Sequence, residues 1–252
     1  MPERAAPGRL PPGILVVRVL GLLVAGAVLV TGTVSVVGQG FRQSRTQTAT
    51  FTVAPRSMVV QTDTGRITVE AATAGSPLTV RRTDHWSFAE PATRQALTDG
   101  TLTLDGGCAG GLDGLDLVGC SIDYHLSVPD GVALELTTGT GSLDVRGVDG
   151  RLRATTDTGS VRLTGLRSTT VRATSDTGSV LAAFTRPPDA VRADSDTGSV
   201  EVVLPDDRTS YVVSATTSTG STSITVPTDP RSRRTVEAEA GTGSVSVALA
   251  AP

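Results

Sequence analysis

Apolar and polar residues alternate along much of this chain, and the alternation is organised around a recurrent Thr-Gly dipeptide with glycines at 65, 141, 159, 178, 198, 220 and 243. The intervals between these glycines are 76, 18, 19, 20, 22 and 23 residues. The positions two and four after each glycine are Ile67/Val69, Leu143/Val145, Val161/Leu163, Val180/Ala182, Val200/Val202, Thr222/Ile224 and Val245/Val247, apolar at thirteen of fourteen places. Seven and five residues before it stand Met58/Val60, Leu134/Leu136, Leu152/Ala154, Val171/Ala173, Val191/Ala193, Val213/Ala215 and Val236/Ala238, all apolar. Period-two alternation on both flanks predicts two strands per unit, each with one buried face.

The turn between them reads Asp-Thr-Gly-Ser at 157–160, 176–179 and 196–199, and the residue before Thr is Asp63, Asp157, Asp176 or Asp196 in four units. Glycine suits such a turn because it adopts positive φ without a steric penalty. A two-stranded unit of this size cannot bury its apolar face alone, so successive units must stack at about 4.8 Å per coil. The expected fold is therefore all-β, a stacked β-solenoid of strand-turn-strand units of 18 to 23 residues. An immunoglobulin-like sandwich also has short alternating strands but would not need the same four residues to recur in register.

Within the 76-residue gap only Thr98-Asp99-Gly100, followed by Leu102 and Leu104, keeps half of the pattern. Residues 71–128 are expected to form degenerate coils with a loop pinned by Cys108 and Cys120. These are the only two cysteines, and outside the cell a local disulfide is the simplest reading. His85 and His125 do not complete a metal-binding cluster with them.

The pattern changes at the N-terminus, where Val19–Val37 holds no charged residue and Ile14–Val17 extends the apolar run. That length predicts one transmembrane helix over 14–37, preceded by a short tail (1–13) and followed by a polar tether (38–50) and the β-domain (51–250). A cleaved signal peptide would want a shorter apolar stretch and a clearer small-residue site. Arg4, Arg9 and Arg18 precede or open the span, while Arg42 and Arg45 follow it. The balance predicts a cytoplasmic N-terminus and an extracellular C-terminal domain in the cell membrane.

Composition narrows the function classes. Only 3% of the residues are aromatic, so the core must consist of small and β-branched side chains. Every basic residue is Arg, and residues 38–252 carry 19 basic against 24 acidic groups. A net of −5 without a basic stripe argues against a nucleic-acid partner.

Asp-Thr-Gly also occurs in aspartic proteases, where two such carboxylates share a proton. Three tandem copies 19 and 20 residues apart, after polar residues such as Thr155-Thr156, do not match that arrangement. Stacked in register, Asp157, Asp176 and Asp196 would form a column able to attract a divalent cation, yet each turn supplies one carboxylate where calcium-binding repeats supply several oxygens. A solvated ladder of turns is the expected role. Asp105, Asp113, Asp116 and Asp123 do not have EF-hand spacing. His85, Trp86 and Phe88 make the main aromatic cluster, expected to pack over the end or flank of the solenoid. With two histidines, neither in a recognisable motif, no nucleophile has a positioned base.

The segment Leu126-Ser127-Val128-Pro129-Asp130-Gly131 leading into Leu134 to Val145, together with the recurrent Thr-Gly-Ser-Val turns through Val247, resembles the bacterial DUF4097-type adhesin-like proteins over roughly residues 50–250. The resemblance implies a membrane anchor, a β-solenoid and a cell-surface location, and carries over no catalytic residue. The expectation is a non-enzymatic envelope protein without cofactor, binding an envelope polymer or another surface protein. A structural or signalling module of the envelope is the alternative, and an enzyme acting on protein or polysaccharide a more distant one.

Overall fold

The computed structural model describes residues 42–87, 89–108 and 119–250. The expected tail and span at 1–37 lie outside the described residues, as do Phe88, Asp113 and Asp116.

The described residues form nineteen strands. The first seven are β1 (Gln43–Phe51), β2 (Ser57–Thr64), β3 (Ile67–Ala71), β4 (Leu78–Trp86), β5 (Ala92–Thr98), β6 (Thr101–Gly107) and β7 (Ser121–Val128). The repeating region follows as β8 (Ala133–Thr140), β9 (Leu143–Arg146), β10 (Leu152–Thr158), β11 (Val161–Leu166), β12 (Thr170–Thr177), β13 (Val180–Phe184), β14 (Ala190–Thr197) and β15 (Val200–Leu204). The last four are β16 (Val212–Thr219), β17 (Thr222–Ile224), β18 (Thr235–Thr242) and β19 (Val245–Leu249).

Each Thr-Gly turn joins a strand of one sheet to a strand of the other, so the two sheets face each other across a shared core. One sheet runs β1-β4-β7-β3-β9-β11-β13-β15-β19-β17, and the other β16-β18-β14-β12-β10-β8-β2-β6-β5. Equivalent residues pair in parallel register, as Leu152 with Val171 and Ala154 with Ala173. Alternate residues are buried, and rows such as Leu134, Leu152, Val171, Val191 and Val236 run the length of the core. Alanines at 154, 173, 182, 193 and 238 keep this core thin. Val, Ala and Leu side chains thus fill most of it, with Tyr124, Phe184 and Tyr211 as its aromatics among the described residues, so the leucines go beyond the small and β-branched set expected from composition.

The stack does not follow chain order at either end. Along its axis the coils run β6/β7, β2/β3, β8/β9, β10/β11, β12/β13, β14/β15, β18/β19 and β16/β17. The last coil therefore inserts between β14/β15 and the coil that precedes it in sequence, which corrects the expectation that successive units stack. The pattern supplies a reason: β18/β19 buries Val236, Ala238, Val245 and Val247, whereas β16/β17 has Thr222 at a core-facing position. A coil with a polar inward residue costs least at the solvent-facing end.

The region 71–128 also departs from degenerate coils. β4 and β5 are antiparallel additions, β4 lying between β1 and β7, and β5 forming an edge beside β6. Leu102 and Leu104 pair with Met58 and Val60, so they occupy the strand before a turn, not the strand after it. Cys108 follows the end of β6 and Cys120 precedes the start of β7. Residues 43–50, expected in a tether, are part of β1, where a Thr-rich alternating sequence pairs with all of β4.

Candidate functional site

The turn edge is where the repeated residues converge. At Gly65, Gly141, Gly159, Gly178, Gly198, Gly220 and Gly243 the backbone has φ between 142° and 155°, a region that disfavours a side chain. Close packing adds a second demand. A Cβ on Gly178 would lie 2.0 Å from the carbonyl oxygen of Gly159, and the same approach recurs down the column from Gly65 to Gly220.

Beneath the glycines runs a ladder of hydroxyls, buried except at the half-buried Thr217, that the sequence reading missed. Thr138 donates to the carbonyl of Gly65, Thr156 to Gly141, Ser175 to Gly159, Ser195 to Gly178 and Thr217 to Gly243, at 2.8–3.2 Å. Each joins one coil to the next by satisfying a turn carbonyl. The signal was a Ser or Thr three residues before six of the seven glycines; the exception is Ala240, packed beside Ser195.

Above the glycines, Asp157, Asp176 and Asp196 stand on adjacent coils, their exposed carboxylates without a hydrogen bond to another described residue. Asp63 is separated from this row by Gly139. It accepts instead from the Cys108 N–H at 3.2 Å, tying the β2/β3 coil to the β6/β7 coil. Gly241 ends the row on the other side, where a Cβ would meet the Asp196 carbonyl at 2.5 Å. Among the described residues no group of three or more His, Cys, Asp or Glu side chains is placed to hold a metal ion. Cys108 and Cys120 are joined by a disulfide with Cα atoms 5.8 Å apart. It links the residue after β6 to the residue before β7.

The outer face of the β10 sheet presents a row of Glu237, Arg192, Arg172, Arg153 and Glu135 on adjacent strands. Arg192 bridges Glu237 and Asp194, both at 2.9 Å, and its bond to Asp194 raises its pKa above the usual guanidinium value. Arg172 reaches the same Asp194 at 3.9 Å, and Arg153 reaches Glu135 at 3.8 Å. These are exposed pairs, and their value lies in the pattern they display more than in stability.

At the β1/β5 end, Trp86 is buried on β4 and the Arg45 guanidinium lies 5.6 Å from its ring centroid. His85 faces Asp123 at 3.7 Å, and His125 faces Glu70 at 4.0 Å. A cleft between β1/β4 and β5/β6 is lined by Gln47, Arg82, Arg94, Gln95 and Tyr124 over Val80 and Leu104. Arg82 is held by Asp84 and Gln47, while burial pushes the Tyr124 phenol up to about 12. Nothing in this cleft pairs a nucleophile with a base.

A family model described as Toastrack DUF4097 matches residues 53–251. No curated protein matches the chain. Among solved structures, a "putative cell adhesion protein" from Clostridium sporogenes is similar at 11% identity and a TM-score of 0.45, over 82% of this chain and 100% of that one. A "putative adhesin" from Bacteroides fragilis is similar at 16% identity and a TM-score of 0.41, over 82% of this chain and 97% of that one.

Proposed function

Because the chain belongs to the Toastrack DUF4097 family, we propose that it is a non-enzymatic, adhesin-like protein of the cell envelope that presents its stacked coils as a binding surface. One span at 14–37 anchors it in the cell membrane, and the β-domain stands outside. The observation that carries this reading is the register: identical outward positions recur on neighbouring coils, giving parallel rows of Arg, Thr and Asp side chains about 4.8 Å apart. Such a surface suits a partner that is itself periodic, an envelope polymer or the face of another surface protein.

Two further features support it. The Cys108–Cys120 disulfide fits an oxidising compartment. The uncharged run from Val19 to Val37 has the length of a membrane span.

The test is co-sedimentation of the detergent-solubilised full chain with isolated cell-envelope material, measured as bound fraction against salt, with and without chelator. Saturable binding is expected. Loss of binding with chelator would draw the Asp157, Asp176 and Asp196 row into the contact through a cation. Absence of binding would contradict the display reading and favour a purely structural role.

A further inference from the structure

The β16/β17 coil differs from every other coil in two independent ways. First, it is terminal: β16 pairs only with β18 and β17 only with β19, so the outer backbone edge of each sheet is unpaired here. Its core-facing side chains are incompletely covered. Val213 and Ala215 are half-buried although they occupy the positions of the buried Val236 and Ala238, and Ile224 is 43% exposed beside the buried Val247.

Second, it carries no charge. From Thr209 to Thr228 the chain contains no Asp, Glu, Lys, Arg or His, whereas each of the other coils has charged residues in its strands. Exposed edge strands ordinarily carry charges that prevent pairing with another chain. The edges at the opposite end follow that rule, with Arg45 on β1 and Arg94 on β5. The protection is missing from the coil that offers two free edges and an open core.

We propose that this end pairs with the same end of a second copy of the chain, edge to edge about a two-fold axis. An axis along the sheet normal sets β16 antiparallel to its counterpart and β17 antiparallel to its counterpart, so both sheets run on through the dimer. A two-fold brings each edge against itself, and any charge near the axis would then face its own like. An edge without charges is what self-pairing requires, whereas an edge built for a charged partner would carry the complementary sign. The closed symmetry uses up both free edges and buries Ile224, Val213 and Ala215 at the joint.

The experiment is the mass of the full chain, purified in mild detergent, by light scattering on a sizing column at micromolar concentration. The chain is expected to be a dimer. Ser214→Lys with Ser223→Lys places like charges at outward positions of both edges, leaves the core untouched, and is expected to halve the protein mass without changing the circular dichroism spectrum. Mixing this variant with Ser214→Glu/Ser223→Glu is expected to restore the dimer. Leu97→Lys, on the exposed β5 edge, is expected to leave it intact. A monomeric parent chain, a dimer that survives the double Lys change, or one lost through Leu97→Lys would each overturn the proposal.

Discussion

The buried Ser175 hydroxyl donates to the carbonyl oxygen of the half-buried Gly159 on the adjacent coil at 2.8 Å. A partly buried carbonyl that loses its donor keeps part of its desolvation cost, so Ser175→Ala is expected to destabilise the domain by about 1 kcal/mol. Ala240 occupies the same register position as Ser195 but offers no donor to the Gly198 carbonyl. Ala240→Ser is expected to raise stability by about 0.5–1 kcal/mol. Urea denaturation of both variants checks the opposite signs.

Gly178 tests the turn itself. Its φ of 146° acts together with the Gly159 oxygen, 2.0 Å from where a methyl carbon would sit, and Gly178→Ala is expected to cost more than about 3 kcal/mol. Gly131 has φ of 82° but open space around it, and Gly131→Ala is expected to cost only about 1 kcal/mol. Equal losses at the two sites would show that backbone conformation, not the approach of the neighbouring coil, sets the requirement.

The coil order has a direct chemical test. Ser199 and Ser244 are neighbours, with the Ser244 N–H 3.4 Å from the Ser199 hydroxyl, and Ser221 lies on the far side of Ser244. The pair Ser199→Cys/Ser244→Cys is expected to form a disulfide under mild oxidation. Ser199→Cys/Ser221→Cys spans two coils, about 9.6 Å, beyond the roughly 7 Å that a disulfide bridges. Chain-order stacking would reverse the two results.

Alkaline pH should loosen the stack at two known points. Burial pushes the phenols of Tyr124 and Tyr211 up to about 12 from an ordinary value of 10.0. The folded state therefore holds these protons more tightly than the unfolded chain. The resulting stability is fully present below about pH 10 and is lost as pH rises towards 12, by at most about 3 kcal/mol for each group. Tyr211→Phe is expected to flatten its share of that loss. At neutral pH it should keep or raise stability by about 1 kcal/mol, because the buried Tyr211 hydroxyl has no hydrogen-bond partner among the described residues. Thermal unfolding followed from pH 7 to 12 checks both statements.

Much of the fold was legible because one coil resembles the next. The alternation at Val171/Ala173 and Val180/Ala182 marks both strands and the turn, and the burial of these four residues follows. Coil order was not legible, for the same reason. Val191 packs in register beside Val236 in the structure, and Val213 would offer an almost equal neighbour, so local pattern cannot choose between them. The choice rests on which coil tolerates solvent at the end of the stack. Leu102 and Leu104 misled in a related way, because a turn glycine before them suggested the second strand of a coil when they form the first. The antiparallel β4 and β5 lack the turn motif, and the short alternation at Leu78 and Val80 does not reveal the direction of pairing. Of the candidate surface, the row Asp157, Asp176 and Asp196 and its separation from Asp63 by Gly139 could be read directly, whereas the bond from the Cys108 N–H to Asp63 depended on the three-dimensional order.

The display of the stack outside the membrane is the claim on which the functional reading rests, and labelling of intact cells tests it. Ser179 is exposed on the turn edge, and the described part of the chain has no free cysteine to give background. Cells producing the full chain with Ser179→Cys would be treated with a membrane-impermeant maleimide, then compared with permeabilised cells. Equal labelling before and after permeabilisation is the expected result, and labelling that appears only after permeabilisation would contradict the account.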